Sequence, residues 1–279
     1  MIERACISIN NCCNLSCAYC HFHTPEKMVH LAEADMNIYK ILDNIKEHIN
    51  QHAIQVFKLG FVGNGEPLLD YEALRSYIEY IGDYLVTGRI AAYTISNGTL
   101  VTEEILRFFK AYNVNIGFSI DGLPEIHNKL RCNTYAEVMK AIEMYHSLNE
   151  HYPSLNCTVG KETIERIDDT IGFFEAFDSR ITFSRMIGEN GITLKEFHSF
   201  LNQAMRKLNV RTGGYDCTMY GGLCGAGINN VFYANGKVYL CGNCVDLPAV
   251  ADAYVPLERI KPNLPSFDRT NCYREILKS

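Results

Sequence analysis

The sequence alternates between short runs typical of β-strands and longer segments with helical periodicity. The strand-like runs are rich in β-branched and aromatic residues, and the segments between them place apolar residues three and four positions apart. Six strand and helix pairs follow one another, with strands predicted at 3–10, 54–62, 89–96, 114–120, 155–160 and 180–187. This alternation predicts a parallel sheet with helices outside it, rolled by right-handed crossovers into an α/β fold, a partial (β/α)6 TIM-type barrel.

The predicted helices have recognisable stripes and start signals. Residues 34–50 and 70–85 each carry one apolar stripe, and Asp70 is a candidate N-cap of the second. Thr134 with Glu137, and Thr193 with Glu196, have the spacing of a capping box, so helices are expected to begin there and to run to about residues 149 and 208.

Composition and charge narrow the function classes. The chain has 279 residues, a net charge of −6 and no dense basic run, which gives no electrostatic footprint for nucleic acid. The N-terminus MIERACISIN has no signal-peptide pattern, and no apolar run is long enough to cross a membrane. We therefore expect a cytoplasmic protein, in which the 12 cysteines are reduced and their clusters indicate metal or redox chemistry.

Three of these cysteines lie in CNLSCAYC, residues 13–20, directly after the first predicted strand. In a barrel of this type, the loops after the carboxyl ends of the strands carry the active residues. A structural zinc site needs four ligands, whereas Cys13, Cys17 and Cys20 supply three. Three thiolates on a four-iron cluster leave one iron open to a substrate or cofactor. Cys12 is a spare, because only Cys13 gives the three-residue gap to Cys17.

These cysteines, with Tyr19 before the last of them, resemble the signature of the radical S-adenosylmethionine superfamily. Later segments fall in the same order as the motifs of that family. GNGEP (63–67) is similar to its GGEP, SNGTL (96–100) resembles its TNG segment, and FSIDGLPEIHNKLR (118–131) resembles the SIDG…HD..R stretch of its peptide-modifying and sulfatase-maturing subgroup. The last stretch departs from the pattern at Asn128, where the subgroup has Asp, so this position is assigned no catalytic role.

The resemblance implies cofactors and a mechanism. A 4Fe–4S cluster on Cys13, Cys17 and Cys20 would bind S-adenosylmethionine through its open iron and pass it an electron, and a 5'-deoxyadenosyl radical would abstract hydrogen from the substrate. The backbone of the loop 63–66 and the Glu66 side chain would hold the methionyl amino group, and Ser119 and Arg131 the carboxylate and ribose. The full set of cofactor-binding candidates is Tyr19, Gly63, Asn64, Gly65, Glu66, Ser96, Asn97, Ser119, Asp121 and Arg131. Asp121 fits a turn-forming Asp-Gly equally well.

Beyond residue 210 a second module is expected, so the predicted domains are 1–210 and 211–279. Asn235-Gly236 is a favoured hairpin turn, and it lies between Cys224 and Cys241. This region resembles the twitch or SPASM extension, which implies a small cluster-binding domain with one auxiliary iron–sulfur cluster of the 4Fe–4S type. The family pattern selects Cys217, Cys224, Cys241 and Cys272, but Cys241 and Cys244 form a CxxC pair. All five cysteines therefore remain candidates, whereas Cys6, Cys132 and Cys157 are expected to be buried hydrophobes.

The resemblance implies oxidation of a substrate, with a thioether or carbon–carbon crosslink in a ribosomally made peptide as the first expectation. The alternatives are a radical-type dehydrogenase of small-molecule alcohols, an anaerobic sulfatase maturase, a peptide epimerase and a non-catalytic iron–sulfur electron carrier. The shortened C-terminal region argues against the maturase, whose extension carries two auxiliary clusters. An external reductant such as flavodoxin or ferredoxin is expected. Because the first strand starts within a few residues of the N-terminus, no room is expected for a recognition domain before it, and a peptide would be held by the barrel mouth or by a separate peptide-recognition protein.

Overall fold

The computed structural model describes residues 1–20, 36–188, 190–211 and 225–260. Within these ranges the strands form one sheet of ten. They are β1 Arg4–Ile7, β2 Phe57–Phe61, β3 Ile90–Ser96, β4 Asn115–Ser119, β5 Ser154–Val159, β6 Arg180–Arg185, β7 Asn209–Val210, β8 Asn230–Ala234, β9 Lys237–Tyr239 and β10 Ala251–Asp252. The six strands predicted from the sequence are confirmed; five are shorter than their predicted runs, and β5 has the predicted length but begins one residue earlier.

The order across the sheet is β10-β9-β8-β1-β2-β3-β4-β5-β6-β7. Neighbours from β8 to β7 are parallel, whereas β9 is antiparallel to both β8 and β10. The α/β barrel-type fold is therefore confirmed. An unexpected feature is that β8 continues the barrel sheet beside β1, with Arg4 opposite Asn230. The chain changes character after residue 210, but the sheet does not end there, and the division into two domains stays a prediction.

Helices connect the parallel strands. They are α1 Ile38–Gln51, α2 Tyr71–Tyr80, α3 Gly82–Val86, α4 Glu103–Ala111, α5 Pro124–Leu130, α6 Tyr135–Asn149, α7 Lys161–Glu165, α8 Ile167–Glu175 and α9 Leu194–Ala204. Three 3-10 helices cover Pro67–Asp70, Gly242–Cys244 and Leu257–Arg259. No helix in the part of the chain that the structure describes has the length and apolar character needed to cross a membrane.

The helix starts follow the predictions with three differences. The capping box of Thr193 and Glu196 is present. That of Thr134 is not, because its hydroxyl donates to the Arg131 carbonyl (2.7 Å) instead of accepting from the helix. Asp70 precedes α2 without a side-chain capping bond, and the predicted helix 70–85 divides at Ile81. Gly82, a poor helix former, follows directly at this break.

The core lies between the sheet and the helices. The predicted stripe of α1 is buried throughout, and each such aliphatic side chain contributes about 1.5–3 kcal/mol relative to an exposed one. The predicted hairpin is also confirmed. Asn235 (φ +52°) and Gly236 (φ +71°) both adopt the left-handed conformation that a two-residue type I′ turn requires.

Candidate active site

The loop that follows β1 carries the three cysteines of the motif. Cys13, Cys17 and Cys20 are all half-buried, and the Cys20 amide donates to the Cys17 carbonyl (3.0 Å). The pKa of Cys17 is raised to about 11, chiefly by burial and also by the nearby Cys20 and Cys13, while Arg131 acts in the opposite direction. The three sulfurs are thus close enough to repel one another as thiolates. A cationic iron–sulfur cluster would remove this repulsion, so the donor set fits such a group.

The loop after β2, residues 63–67, lies directly against the cysteine loop. The Glu66 amide donates to the Cys12 carbonyl (2.8 Å), and Asn10 Nδ2 donates to the Glu66 carbonyl (3.1 Å). A Cβ on Gly65 would lie 2.0 Å from the Cys12 carbonyl oxygen and 2.3 Å from Asn10 Oδ1. Only glycine allows the two loops this approach.

Two further residues of this loop contact the end of β1. A Cβ on Gly63 would lie 2.7 Å from Ser8 Oγ. Asn64 is buried, and its side-chain amide donates to Asn11 Oδ1 (3.1 Å). The two glycines and the asparagine of GNGEP therefore let this loop pack closely against the start of the cysteine loop.

The Glu66 carboxylate is buried and joins the loops after β2 and β3. One oxygen accepts from Ser96 Oγ (2.8 Å) and from the Leu68 amide (3.1 Å), and the other accepts from the Asn97 amide (2.8 Å). Burial raises the pKa of Glu66, and these three donors act in the opposite direction. Both oxygens thus accept hydrogen bonds inside the protein, and the expectation that Glu66 holds the methionyl amino group stays a prediction.

The loop after β3 reaches the cysteine loop through Asn97. Its Nδ2 donates to Asn14 Oδ1 (2.8 Å) and lies 4.0 Å from the sulfur of Cys13. Asn14 in turn donates to Thr99 Oγ1 (2.8 Å). The sequence reasoning missed Asn14 and Thr99. The only available signal was that both lie inside motifs, at positions the motifs leave variable.

The loop after β4 contacts the cysteine loop through Asp121. This fully buried carboxylate accepts from Tyr19 Oη (2.6 Å), Arg131 Nε (2.7 Å) and the Thr158 amide (2.9 Å). The Arg131 guanidinium also lies over the Tyr19 ring, 5.3 Å from its centroid. Burial lowers the pKa of Arg131, but the attraction of Asp121 outweighs it and the pKa lies above its usual value. Ser119 is half-buried at the end of β4, on the same edge of the sheet.

The end of α5 adds two contacts that the sequence did not indicate. The Ala18 amide donates to the Leu130 carbonyl (2.9 Å), and the Ser16 amide donates to the sulfur of Cys132 (3.4 Å). The prediction that Cys132 is buried is wrong. It has a φ of +59° in the turn after α5, where Arg131 points inward and Cys132 outward. Cys6 and Cys157 are buried, as predicted.

The candidate auxiliary site is described only in part. Cys241 precedes the 3-10 helix Gly242–Cys244 and Cys244 is its last residue, and their sulfurs lie 3.6 Å apart. Cys217, Cys224 and Cys272 lie outside the described residues. The CxxC pair is therefore a compact two-thiol donor, and the remaining ligands stay a prediction.

A match to a known protein family shows which superfamily the chain belongs to. The model of the Radical SAM superfamily matches residues 7–174, which is more than half of the chain and spans the three cysteines and the three motif loops. The chain belongs to the Radical SAM superfamily. This membership confirms S-adenosylmethionine and a 4Fe–4S cluster as the cofactors of its radical site.

Several known proteins are similar to this chain in sequence. A cysteine-type anaerobic sulfatase-maturating enzyme of Clostridium novyi is 27% identical over 207 residues, 68% of this chain and 55% of its own length. An uncharacterised protein of Methanocaldococcus jannaschii is 24% identical over 99% of this chain and 96% of its own. The chain thus spans about half the length of the sulfatase-maturating relatives that it matches.

Solved structures show the same fold. The structure of anSMEcpe with bound AdoMet superposes with a TM-score of 0.74 at 18% identity, covering 98% of this chain and 82% of that one. Streptococcus suis SuiB bound to S-adenosylmethionine gives a TM-score of 0.70 at 12% identity, over 99% of this chain and 70% of that one.

Proposed function

We propose that this protein is a radical S-adenosylmethionine enzyme that oxidatively modifies a side chain of a ribosomally made peptide. One observation carries the proposal: the loop with Cys13, Cys17 and Cys20 is bonded to the loops after β2, β3 and β4, each through a motif residue. A protein that used the cluster only to carry electrons would not need these three loops around it.

The chain's own residues would hold the cofactors and orient them. The three thiolates would ligate the cluster. The backbone of 63–66 and the Glu66 carboxylate would face the methionyl amino group, with Ser119 and the remaining Arg131 donors for its carboxylate and ribose. When bound, the reduced cluster and S-adenosylmethionine supply a 5'-deoxyadenosyl radical that removes a hydrogen atom from the substrate. Asp121 would fix both Arg131 and Tyr19, so that the clamp and the cysteine loop keep one geometry.

Two similarities support a peptide substrate. The curated relatives include enzymes named for the maturation of sulfatases and one named a radical SAM cyclopropyl synthase. Two of the similar solved structures contain a bound peptide. A thioether or carbon–carbon crosslink is the first candidate product. A cysteine-type sulfatase-maturating reaction is the second, because an enzyme named for it is 27% identical to this chain over 207 residues.

Deuterium transfer tests the proposal and separates the two products. The anaerobic enzyme, with loaded clusters and dithionite, is incubated with cysteine-containing peptides that carry deuterium at either the cysteine Cβ or the Cα of another residue. Transfer of Cβ deuterium into 5'-deoxyadenosine indicates a maturase-type oxidation, and transfer of Cα deuterium indicates a thioether crosslink. The Cys17→Ser variant should release no 5'-deoxyadenosine, whereas Cys132→Ser should retain it. If the fully loaded parent cleaves no S-adenosylmethionine, the enzyme proposal fails.

The auxiliary cluster is a separate part of the proposal. Cys241 and Cys244 would supply two of its ligands, with the others drawn from Cys217, Cys224 and Cys272. The reconstituted parent should then hold about eight irons, as two four-iron clusters require. Changing Cys13, Cys17 and Cys20 together to Ala should leave about half of that iron on the C-terminal set. A triple variant without iron would refute a separate C-terminal site.

Two partners complete the proposed reaction. An external one-electron donor such as flavodoxin or ferredoxin would reduce the clusters. A separate protein would present the peptide to the mouth of the barrel. Both are tested by adding them to the deuterium assay, where a genuine partner should raise the rate of 5'-deoxyadenosine release.

A further inference from the structure

A second group of metal-binding side chains lies at the other end of the barrel from the cysteines. Helix α1 runs from the cysteine end of the sheet back to the start of β1, and His48 lies in its last turn. His52 caps the same helix, and Glu258 belongs to the 3-10 helix Leu257–Arg259, which packs against α1. The three candidate ligand atoms all lie within 4.8 Å of one another.

The hydrogen bonding of His48 fixes its tautomer. Its Nε2 lies 2.9 Å from the Ile2 carbonyl oxygen, which can only accept, so Nε2 must carry the proton. In the neutral ring, Nδ1 then carries a lone pair. Burial lowers the pKa of His48, so the ring stays neutral near pH 7. The side chain is 2% exposed, and Nδ1 is buried without a hydrogen-bond partner in the part of the chain described here.

Glu258 and His52 supply the other two candidate ligand atoms near this lone pair. Glu258 Oε2 lies 4.0 Å from Nδ1, too far for a hydrogen bond. The His52 ring lies on the same side, with its centroid 4.6 Å from that of His48. A buried acceptor without a donor costs about 1–3 kcal/mol. A cation between the three groups would replace this cost with coordination bonds.

We propose that His48, His52 and Glu258 form a site for a divalent metal ion of the zinc type. Two imidazoles one helical turn apart and a carboxylate are ligands that Zn²⁺ prefers, at about 2.0–2.2 Å each. Two such bonds at a tetrahedral angle span about 3.4 Å, so the 4.0 Å between His48 Nδ1 and Glu258 Oε2 would have to shorten slightly on binding. Glu258 is 38% exposed and His52 is exposed, so both can adjust and a fourth position stays open to water.

The site would act as a clasp. His48 is already bonded to Ile2, two residues before β1 begins, and Glu258 comes from the segment that follows β10. A shared metal ion would therefore tie the first helix of the barrel to the segment beyond its hairpin. This role does not depend on the radical chemistry, because the three ligands lie at the end of the barrel away from the cysteine loop.

Zinc binding to the holoprotein tests the proposal. Protein without a polyhistidine tag, with its clusters reconstituted so that the cluster cysteines are occupied, is titrated anaerobically with ZnCl₂ against a chromophoric chelator. The expected result is one zinc per chain and a higher midpoint of thermal unfolding. His52→Ala and Glu258→Gln should each weaken zinc binding at least tenfold and abolish the thermal shift. His198→Ala, which removes an exposed histidine from α9, should change neither.

Three results would overturn the proposal. They are the absence of zinc binding by the parent, equal affinity in the parent and in both ligand variants, and a thermal shift that MgCl₂ reproduces. The last would indicate a nonspecific effect, because Mg²⁺ prefers oxygen ligands and would not select two imidazoles. Both ligand variants change exposed side chains, and each can be checked for folding by its unchanged iron content.

Discussion

The hydroxyl of Tyr19 donates a hydrogen bond of 2.6 Å to the carboxylate of Asp121. This bond joins the cysteine loop to the loop after β4, and Arg131 completes the group by pairing with the same carboxylate. The fixed position of the cysteines therefore depends on a buried charge pair that is itself beside the cofactor region.

Tyr19→Phe removes only this hydroxyl. Because the bond goes to a buried charged acceptor, we expect the free energy of unfolding to fall by about 1.5–3 kcal/mol and iron to be lost faster to a chelator. The matched control is Tyr80→Phe, which removes a similar bond (2.7 Å) to the exposed Asp43 and should cost less than about 0.5 kcal/mol. Anaerobic denaturant titrations measure both, and equal losses in the two variants would contradict the prediction.

Gly65→Ala places a methyl group where the cysteine loop now lies. The contact of 2.0 Å with the Cys12 carbonyl cannot be relieved by a side-chain rotation, so the two loops must separate. We expect the reconstituted variant to lose at least the four irons of the radical cluster, about half of the iron in the parent. Gly172→Ala in α8, where an added Cβ meets nothing within 4 Å, should retain its iron and gain about 0.5–1 kcal/mol in stability. Full iron content in Gly65→Ala would show that the close approach is dispensable.

Arg131→Lys keeps the positive charge beside Asp121 but removes the planar fork. Because a charge-assisted bond contributes about 1.5–3 kcal/mol, we expect S-adenosylmethionine to bind at least about tenfold more weakly while the iron content is unchanged. Arg166→Lys, at an exposed ion pair with Asp169, serves as the control and should bind like the parent. Anaerobic calorimetry gives both constants. Unchanged affinity in Arg131→Lys would remove its fork from the cofactor site.

His127 predicts a loss of stability in mild acid. Burial lowers its pKa to about 4, below the ordinary value of about 6.5, so the unfolded chain binds the extra proton first. This contribution is complete above pH 6.5 and is lost as the pH falls toward 4. Between pH 7.5 and 5.5 it should cost the parent about 1 kcal/mol, and His127→Gln should lack this part of the slope. His198→Gln, at an exposed position, should retain the parent's slope; if His127→Gln does as well, the assignment is wrong.

The sequence predicted the elements and motifs well, because periodicity and caps act within a few residues. The six barrel strands, the Asn235-Gly236 turn and the Thr193 capping box all arise from such local signals. The features that the sequence did not predict depend on contacts with residues that are distant in the chain. Thr134 has the capping spacing, yet its hydroxyl bonds to Arg131, whose inward direction is set by Asp121.

The same limit applies to the site. The motif suggested that the Glu66 carboxylate faces a ligand, and only the packed structure places Ser96 and Asn97 on it. Cys132 was assigned to the interior from its flanking pattern, whereas the left-handed turn after α5 directs it outward. His48 and Glu258 belong to no sequence motif. They are close only because the segment that carries Glu258 packs against α1, which the sequence alone does not indicate.

The pairing of β8 with β1 has a consequence for how the protein is made. During synthesis β1 leaves the ribosome long before β8, because this sheet neighbour lies more than two hundred residues behind it in the chain. Until that neighbour arrives, one edge of β1 offers unpaired backbone groups to any passing strand. The cysteine loop follows this exposed strand directly. Nascent chains therefore need protection of that edge, and assembly of the radical cluster is best timed after synthesis of the hairpin.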